Sequence, residues 1–187
     1  MNPANVITLG RLVLAPVLLL LAWYGVEHGF LACLVVALVS DIADGQIARR
    51  FNLATPLGAK LDSWADFATY LSVPLATWWL RPDLVATLRV SFGLTLACYL
   101  LPVAIGFIKF RSLTSYHTTL ARVSAYLIGA SVVILFARGP VLPFQASVAV
   151  LVVAEIEEIA ITLVLPGPQS NVRSIGRALE LRRGASF

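Results

Sequence analysis

Charged side chains are scarce in this chain. Only 13% of its 187 residues are Asp, Glu, Lys or Arg, whereas about 25% is typical of a soluble domain. Hydrophobic residues make up 59% of the chain, and a protein of this size cannot bury that much apolar surface in a core of its own. The scarcity of charge therefore excludes an ordinary soluble domain and indicates an integral membrane protein.

Cysteine and concentrated positive charge are also largely missing. Cys33 and Cys98 are the only cysteines, and both lie in apolar runs, so we interpret them as small hydrophobic residues rather than a disulfide or metal ligands. The net charge of +4 is scattered along the sequence. This distribution argues against a nucleic-acid partner and suits a protein that faces anionic lipid.

Long apolar runs are what the chain has instead. A membrane-spanning helix needs about 20 mainly apolar residues, and helices are favoured because lipid cannot satisfy a free backbone N–H or C=O group. We predict an all-α integral membrane protein with a single domain over residues 1–187. The six predicted spans are residues 6–25, 29–48, 58–80, 84–108, 118–137 and 142–165, followed by a tail at 166–187.

The basic residues predict the orientation. If both termini are cytoplasmic, the inner loops carry most of the Arg and Lys, and the outer loops carry only Arg81 and Arg138. This asymmetry follows the excess of positive charge that is typical of cytoplasmic loops. The tail is interpreted either as an amphipathic stretch on the inner leaflet or as a disordered segment.

Four of the aspartates lie close together in sequence, in two pairs. Asp41 and Asp44 are three residues apart, and Asp62 and Asp66 are four apart, so each pair shares one face of a helix. The segment is predicted to be a helical hairpin near the cytoplasmic interface, with the two pairs facing each other in one acidic pocket. Carboxylate oxygens are hard ligands that suit Mg²⁺, Mn²⁺ or Ca²⁺.

Spacing alone leaves several functions open for this pocket. A metal-dependent enzyme acting on phosphates is one. A divalent-cation transporter or binding protein is another. The third is a plain salt-bridge network between the aspartates and a nearby arginine at the membrane surface.

The pattern Asp-x2-Asp-Gly-x2-Ala-Arg-x8-Gly-x3-Asp-x3-Asp resembles the signature of the CDP-alcohol phosphatidyltransferases of class I. The resemblance implies a six-helix membrane homodimer with two Mg²⁺ or Mn²⁺ ions. It implies transfer of a phosphatidyl group from CDP-diacylglycerol to a small polar alcohol, with release of CMP, in phospholipid biosynthesis. Together with the orientation above, it leads us to predict a bacterial inner membrane location with a cytoplasmic active site. The eight matching positions are Asp41, Asp44, Gly45, Ala48, Arg49, Gly58, Asp62 and Asp66.

The resemblance also implies a role for each motif residue. The metal ligands would be Asp41, Asp44, Asp62 and Asp66. Asp66 would be mainly the general base that accepts the proton of the alcohol. The residues that admit the CDP moiety or hold its phosphate would be Gly45, Ala48, Arg49 and Gly58.

Three polar residues that are not fixed positions of the signature are further candidates for binding the CDP moiety. Asn5 and Thr8 share one helical face with Arg11, from which they would approach the nucleotide or its phosphates. The alternative for this face is an N-cap with an anchoring arginine. Lys60 is interpreted either as a phosphate contact or as a lysine that extends towards the interface.

The acceptor is the least determined part of the prediction. Lys109, Arg111 and Arg122 surround an inner loop and would suit a phosphorylated acceptor, so glycerol 3-phosphate is the first choice. The alternative is that Lys109 and Arg111 only anchor the loop. Serine, inositol phosphate and choline remain open as acceptors.

Three glutamates interrupt the last apolar run. We interpret Glu155, Glu157 and Glu158 as members of a structural ion pair, with Arg122 or another buried cation as partner, because carboxylates at membrane depth usually face the protein interior.

Overall fold

The computed structural model describes residues 3–51, 55–111, 116, 118–167, 169, 172 and 174–184. Over these residues the chain is helical, and they contain no β-strand. The chain forms two compact units, Met1–Leu88 and Arg89–Phe187, which are described separately. That these residues act as a single domain stays a prediction.

The first unit is built around its first helix. Its described residues form four helices, α1 (Pro3–Trp23), α2 (Glu27–Arg50), α3 (Pro56–Leu80) and α4 (Pro82–Thr87). Helix α1 packs along both α2 and α3, whereas α2 and α3 meet each other much less over the described residues. The predicted hairpin therefore has a third helix beside it, and α1 contacts both helices that carry the aspartates.

The packing of α1 follows from its small and apolar residues. Ala15, Leu18 and Ala22 recur every three or four residues and are almost completely buried, which places them on one face of the helix. Near its end Trp23 packs edge-on against Trp79 of α3, with ring centroids 5.3 Å apart. These contacts fix the position of α1 between its neighbours.

Local signals in the sequence account for the ends of these helices. Gly25 has a φ of +70°, a conformation that favours glycine, and it lies in the turn between α1 and α2. Thr55 is the N-cap of α3, because its Oγ1 accepts a hydrogen bond from the N–H of Gly58 at 3.0 Å. Pro56 at the first helical position completes this start signal.

The second unit is built around α7. The helices in the described part of this unit are α5 (Arg89–Phe110), α6 (Thr119–Phe136), α7 (Leu142–Val164) and α8 (Ile175–Gly184). Helix α7 packs against α5, α6 and α8. Helix α8 lies in the predicted tail, and its Ala178 is buried in a cluster with Tyr116, Ile161 and Val172. The interpretation of this part of the tail as disordered is therefore wrong.

Helices cover the predicted spans, with one correction. The predicted fourth span, residues 84–108, is divided, because α4 ends at Thr87 and α5 begins at Arg89. Among the described residues, four helical segments are long and apolar enough to cross a membrane: Asn5–Trp23, Glu27–Ile47, Arg89–Phe110 and Thr119–Phe136. Helices α3 and α7 are of similar length but are not among them. An α-helical membrane protein is confirmed, whereas six spans with both termini inside stay a prediction.

Candidate active site

One face of α1 lies against the aspartates of α2. Thr8 is buried, and its Oγ1 donates a hydrogen bond to Oδ2 of Asp44 at 2.8 Å. One turn further along the same face is Arg11, whose side chain is only 2% exposed. The sequence prediction that Thr8 and Arg11 share a face is confirmed.

Arg11 is the centre of the site, because its guanidinium binds all four aspartates. Its Nη1 donates to Oδ1 of Asp41 and, at 2.9 Å, to Oδ1 of Asp66. Its Nη2 donates to Oδ1 of Asp62 at 2.5 Å and to Oδ2 of Asp44 at 3.2 Å. The predicted acidic pocket is therefore assembled from two helices, but around an arginine supplied by a third.

The pocket has a closed side and an open side. The Asp44 side chain is 5% exposed, whereas those of Asp41, Asp62 and Asp66 are 29%, 38% and 26% exposed. A ligand would therefore reach the pocket past Asp41, Asp62 and Asp66. Asp44 would be approached last.

The donor set of the pocket fits a divalent cation. One carboxylate oxygen each from Asp41, Asp62 and Asp66 lies within 4.8 Å of the others, and such oxygens are the ligands that Mg²⁺ and Mn²⁺ prefer. A second observation concerns Arg11, whose buried Nε has no hydrogen-bond acceptor among the described residues. An oxygen of an anionic ligand would satisfy this donor, so the pocket fits both a metal ion and a phosphate.

Gly58 lies where α1 meets the start of α3. A Cβ atom at this position would lie 2.6 Å from Oδ1 of Asn5 and 3.1 Å from Oγ1 of Thr55. The missing side chain therefore makes room for Asn5 in this structure. That Gly58 and Asn5 also bind the CDP moiety stays a prediction.

The other predicted CDP-binding residues lie on α2 and α3. Gly45 is half-buried on α2, one residue after Asp44, and Lys60 is exposed on α3. Ala48 and Arg49 belong to α2, but their side chains lie outside the described residues. The roles assigned to these four positions stay predictions.

The predicted acceptor-binding residues belong to the second unit. The Lys109 ammonium donates to the carbonyl oxygens of Thr162, Leu163 and Leu165 at 2.8–3.0 Å, so it caps the C-terminal end of α7. Arg111 is exposed and has a φ of +54°, directly after α5. Arg122 is exposed on α6. Their role in acceptor binding stays a prediction.

Two of the glutamates on α7 bind backbone N–H groups. Oε1 of Glu157 accepts from the N–H of Ile175 at 3.1 Å, which anchors the first residue of α8. The carboxylate of Glu158 accepts from the N–H of Thr118, the N-cap residue of α6. Both contacts are to helix ends, and the predicted ion pair of the glutamates with Arg122 or another buried cation stays a prediction.

Arg11 is the residue of the site that the sequence analysis does not place there. In the sequence it is only a neighbour of Asn5 and Thr8. Two signals in the sequence point to it: it lies inside an apolar run, and four carboxylates need a cation nearby. Metal ions were considered for that charge, and an arginine from the first helix was not.

Comparisons with known proteins agree on one family. The sequence model of the CDP-alcohol phosphatidyltransferase family matches residues 1–166. A probable phosphatidylglycerophosphate synthase of Mycobacterium tuberculosis is 42% identical over 71 residues, which is 35% of this chain and 34% of that protein. A CDP-diacylglycerol–glycerol-3-phosphate 3-phosphatidyltransferase of Aquifex aeolicus is 38% identical over 69 residues, or 35% and 37% of the two chains.

A third relative differs in its activity. The cardiolipin synthase (CMP-forming) / mitochondrial hydrolase fusion protein of Schizosaccharomyces pombe is 30% identical over 116 residues, which is 61% of this chain and 19% of that protein. The alignments with the two bacterial relatives span only about a third of the length of those proteins. No solved structure gives a significant match to the chain.

Proposed function

Because the chain belongs to the CDP-alcohol phosphatidyltransferase family, we propose that it transfers a phosphatidyl group from CDP-diacylglycerol to the hydroxyl of a small polar alcohol. The observation that carries this proposal is the convergence of Asp41, Asp44, Asp62 and Asp66 in one pocket. These are the four acidic positions of the family signature, and they meet although they come from two helices.

The reaction exchanges one phosphate ester partner for another. The alcohol oxygen attacks the phosphorus that carries the diacylglycerol, and a new P–O bond forms. The bond from that phosphorus to the bridging oxygen of the diphosphate breaks, and its electron pair leaves with CMP. The alcohol proton passes to a carboxylate.

Divalent ions, when bound, would neutralise the diphosphate and stabilise the charge that develops on the leaving CMP. We assign their ligands to Asp41, Asp44 and Asp62, with Asp66 as a further ligand and mainly the general base. The Asp66 side chain is 26% exposed, so the alcohol can reach it, as a general base requires. Asp41 and Asp62 are at least as exposed, and the choice of Asp66 rests on the family resemblance. Mg²⁺ and Mn²⁺ are the expected ions, two in number.

Glycerol 3-phosphate is the proposed acceptor. The names of the Mycobacterium tuberculosis and Aquifex aeolicus relatives support it, and so do the exposed basic side chains of Arg111 and Arg122. We further propose a homodimer with six spans, both termini in the cytoplasm and the pocket at the cytoplasmic side of a bacterial inner membrane. There a soluble acceptor and CMP can exchange while the lipid donor enters from the bilayer.

The test is release of CMP by the purified protein in detergent, with CDP-diacylglycerol and Mg²⁺ or Mn²⁺. The acceptors compared are glycerol 3-phosphate, serine, inositol phosphate, choline and the lipid alcohol phosphatidylglycerol. We expect release with glycerol 3-phosphate and none in the presence of a chelator. If CMP is released with a different alcohol, glycerol 3-phosphate is not the acceptor. If no alcohol leads to release of CMP, the proposed transferase activity is refuted.

A further inference from the structure

The aspartate pocket contains its own cation. Four carboxylates this close repel one another, and the Arg11 guanidinium donates to each of them. Arg11 is also buried to 98%, since only 2% of its side chain is exposed. A buried charge persists only when it is paired, so Arg11 and the aspartates depend on each other.

Arg11 uses the same oxygens that a metal ion would need. Its acceptors include the carboxylates of Asp41, Asp62 and Asp66, which form the candidate metal-binding group. Mg²⁺ binds such oxygens at about 2.0–2.1 Å, while Nη2 lies 2.5 Å from Oδ1 of Asp62. A guanidinium and a divalent ion therefore exclude each other from the middle of this pocket, by overlap and by like charge.

Arg11 also has an unused donor. Its Nε is buried without an acceptor among the described residues, so the carboxylates do not use its full hydrogen-bonding capacity. A guanidinium that leaves the carboxylates would have its planar fork available for a phosphate oxygen. The proposed donor lipid supplies such oxygens.

We propose that Arg11 is the resident counter-ion of the aspartate pocket. It holds the four carboxylates together before divalent ions bind, and it competes with those ions for the same oxygens. This proposal rests on the proposed function only in that the pocket binds divalent ions. Arg11 is a positioning residue here, because it acts on the carboxylates.

Mn²⁺ binding without substrate tests the competition. The protein, Arg11→Gln and Arg11→Lys are titrated with Mn²⁺ in detergent, and free Mn²⁺ is followed by electron paramagnetic resonance. We expect Arg11→Gln to bind Mn²⁺ roughly tenfold more tightly than the unaltered protein, as for a typical coupling between two ligands. The Mn²⁺ affinity of Arg11→Lys should lie between those of the other two proteins. Unchanged or weaker binding by Arg11→Gln would overturn the proposal, as would the absence of Mn²⁺ binding by all three proteins.

Thermal unfolding tests the counter-ion role. In chelator, Arg11→Gln should unfold at a lower temperature than the unaltered protein, and saturating Mn²⁺ should close most of that gap. Arg81→Gln is the matched control, since it removes an arginine whose Nη1 binds Glu27 at 2.6 Å elsewhere in the unit. It should lower the unfolding temperature equally with and without Mn²⁺ and leave Mn²⁺ affinity unchanged. The proposal would be contradicted if Mn²⁺ had the same effect on the unfolding temperature of both variants.

A measurement on the unaltered protein covers the case in which Arg11 variants fail to fold. When the arginines are labelled with ¹⁵N at Nε, each Nε–H group gives a resonance. The Arg11 resonance is the one that disappears in Arg11→Lys. If that variant does not fold, the Arg11 resonance is identified as the Nε–H that exchanges most slowly with solvent. Saturation with Mg²⁺ should shift this resonance, and an unmoved resonance would refute the proposal. If the protein releases CMP but Arg11 does not compete with divalent ions for the carboxylates, only this inference is refuted. If Arg11 competes with the ions but no CMP is released, only the proposed function is refuted.

Discussion

At the scale of single residues, Asp66 differs from the other aspartates in its proposed role. Arg11 binds it at 2.9 Å and binds the other three as well, but Asp66 alone is assigned the alcohol proton. A carboxamide in its place would keep the size of the side chain and lose the ability to accept that proton.

We therefore expect Asp66→Asn to lower turnover at least about 100-fold, with only a modest loss of nucleotide binding. CMP release measures turnover, and calorimetry with CDP-diacylglycerol measures binding. Asp83→Asn, at an exposed position in the first turn of α4, is the control and should change neither. Equal losses of turnover and binding would instead make Asp66 chiefly a metal ligand.

Gly58 gives a second prediction at this scale. Gly58→Ala should reduce the free energy of unfolding by about 1–3 kcal/mol, because the added Cβ would lie 2.6 Å from Oδ1 of Asn5. Denaturant titration in detergent measures this. The double variant Asn5→Ala/Gly58→Ala should lose less free energy of unfolding than the two single variants lose together, since the clash is then absent.

Gly93→Ala is the control for Gly58→Ala, because a Cβ at Gly93 meets no atom within 4 Å. It should leave stability unchanged or raise it, since alanine is the better helix former. If Gly93→Ala lowers the free energy of unfolding as much as Gly58→Ala does, the steric explanation is refuted.

Tyr116 gives a prediction in the opposite direction. Its side chain is 1% exposed, and its hydroxyl has no hydrogen-bond partner in the part of the chain that the structure describes. Tyr116→Phe should therefore raise the free energy of unfolding by about 1 kcal/mol, because it removes an unsatisfied buried donor. Tyr24→Phe, at an exposed position, is the control and should leave the free energy of unfolding unchanged. A lower free energy of unfolding for Tyr116→Phe would show that the hydroxyl has a hydrogen-bond partner and would contradict the prediction.

The sequence was informative about the aspartates and silent about how Arg11 meets them. The four carboxylates lie on two adjacent helices at helical spacing, so their convergence follows from local geometry. Arg11 is 30 residues before Asp41 and 55 before Asp66, and no periodicity connects positions so far apart. Only the packing of α1 against both helices brings it there.

At the scale of helices, the apolar runs predicted the elements well and their interruptions less well. The break after α4 has no signal in the sequence, because Leu88 and Arg89 are neither glycine nor proline. The N–H of Leu88 still donates to the carbonyl of Leu84 at 2.9 Å, which is the bond that ends α4. Helix α8 was left open because its pattern is short. Its Ala178 is buried in the cluster at the end of α7, and sequence alone does not supply that surface.

Lys109 gives the prediction at this scale, because it joins α5 to the end of α7. Lys109→Met should lower the free energy of unfolding by about 1.5–3 kcal/mol, since three backbone carbonyls lose a charged donor. It should also expose α8 to protease sooner, while the KM for the acceptor stays unchanged. Arg89→Met, at an exposed position, is the matched control. A raised KM without loss of stability would support acceptor binding by Lys109.

At the scale of the whole molecule, the proposed orientation makes opposite ends of the helices face opposite compartments. Phe51 follows α2 and Pro140 precedes α7, and both are exposed. In the predicted six-span arrangement Phe51 is cytoplasmic and Pro140 lies outside. The two native cysteines, Cys33 and Cys98, are the only ones to be removed for labelling experiments.

Single cysteines then test the orientation. In a background with both cysteines changed to alanine, Pro140→Cys should react with a membrane-impermeant maleimide in intact cells. Phe51→Cys should react only after the membrane is permeabilised. Labelling of both positions from outside would show that the number or direction of the spans is wrong.

The arginine of α1 has a consequence for synthesis of the protein. Its charge emerges from the ribosome before any of its four partners, and Asp66 follows 55 residues later. At roughly 5–20 residues per second, that interval lasts about 3–11 s. A lone arginine within a membrane-spanning helix opposes transfer into the bilayer. We therefore expect the insertion of α1 to be assisted by α2 and α3, whose aspartates supply the partners of Arg11.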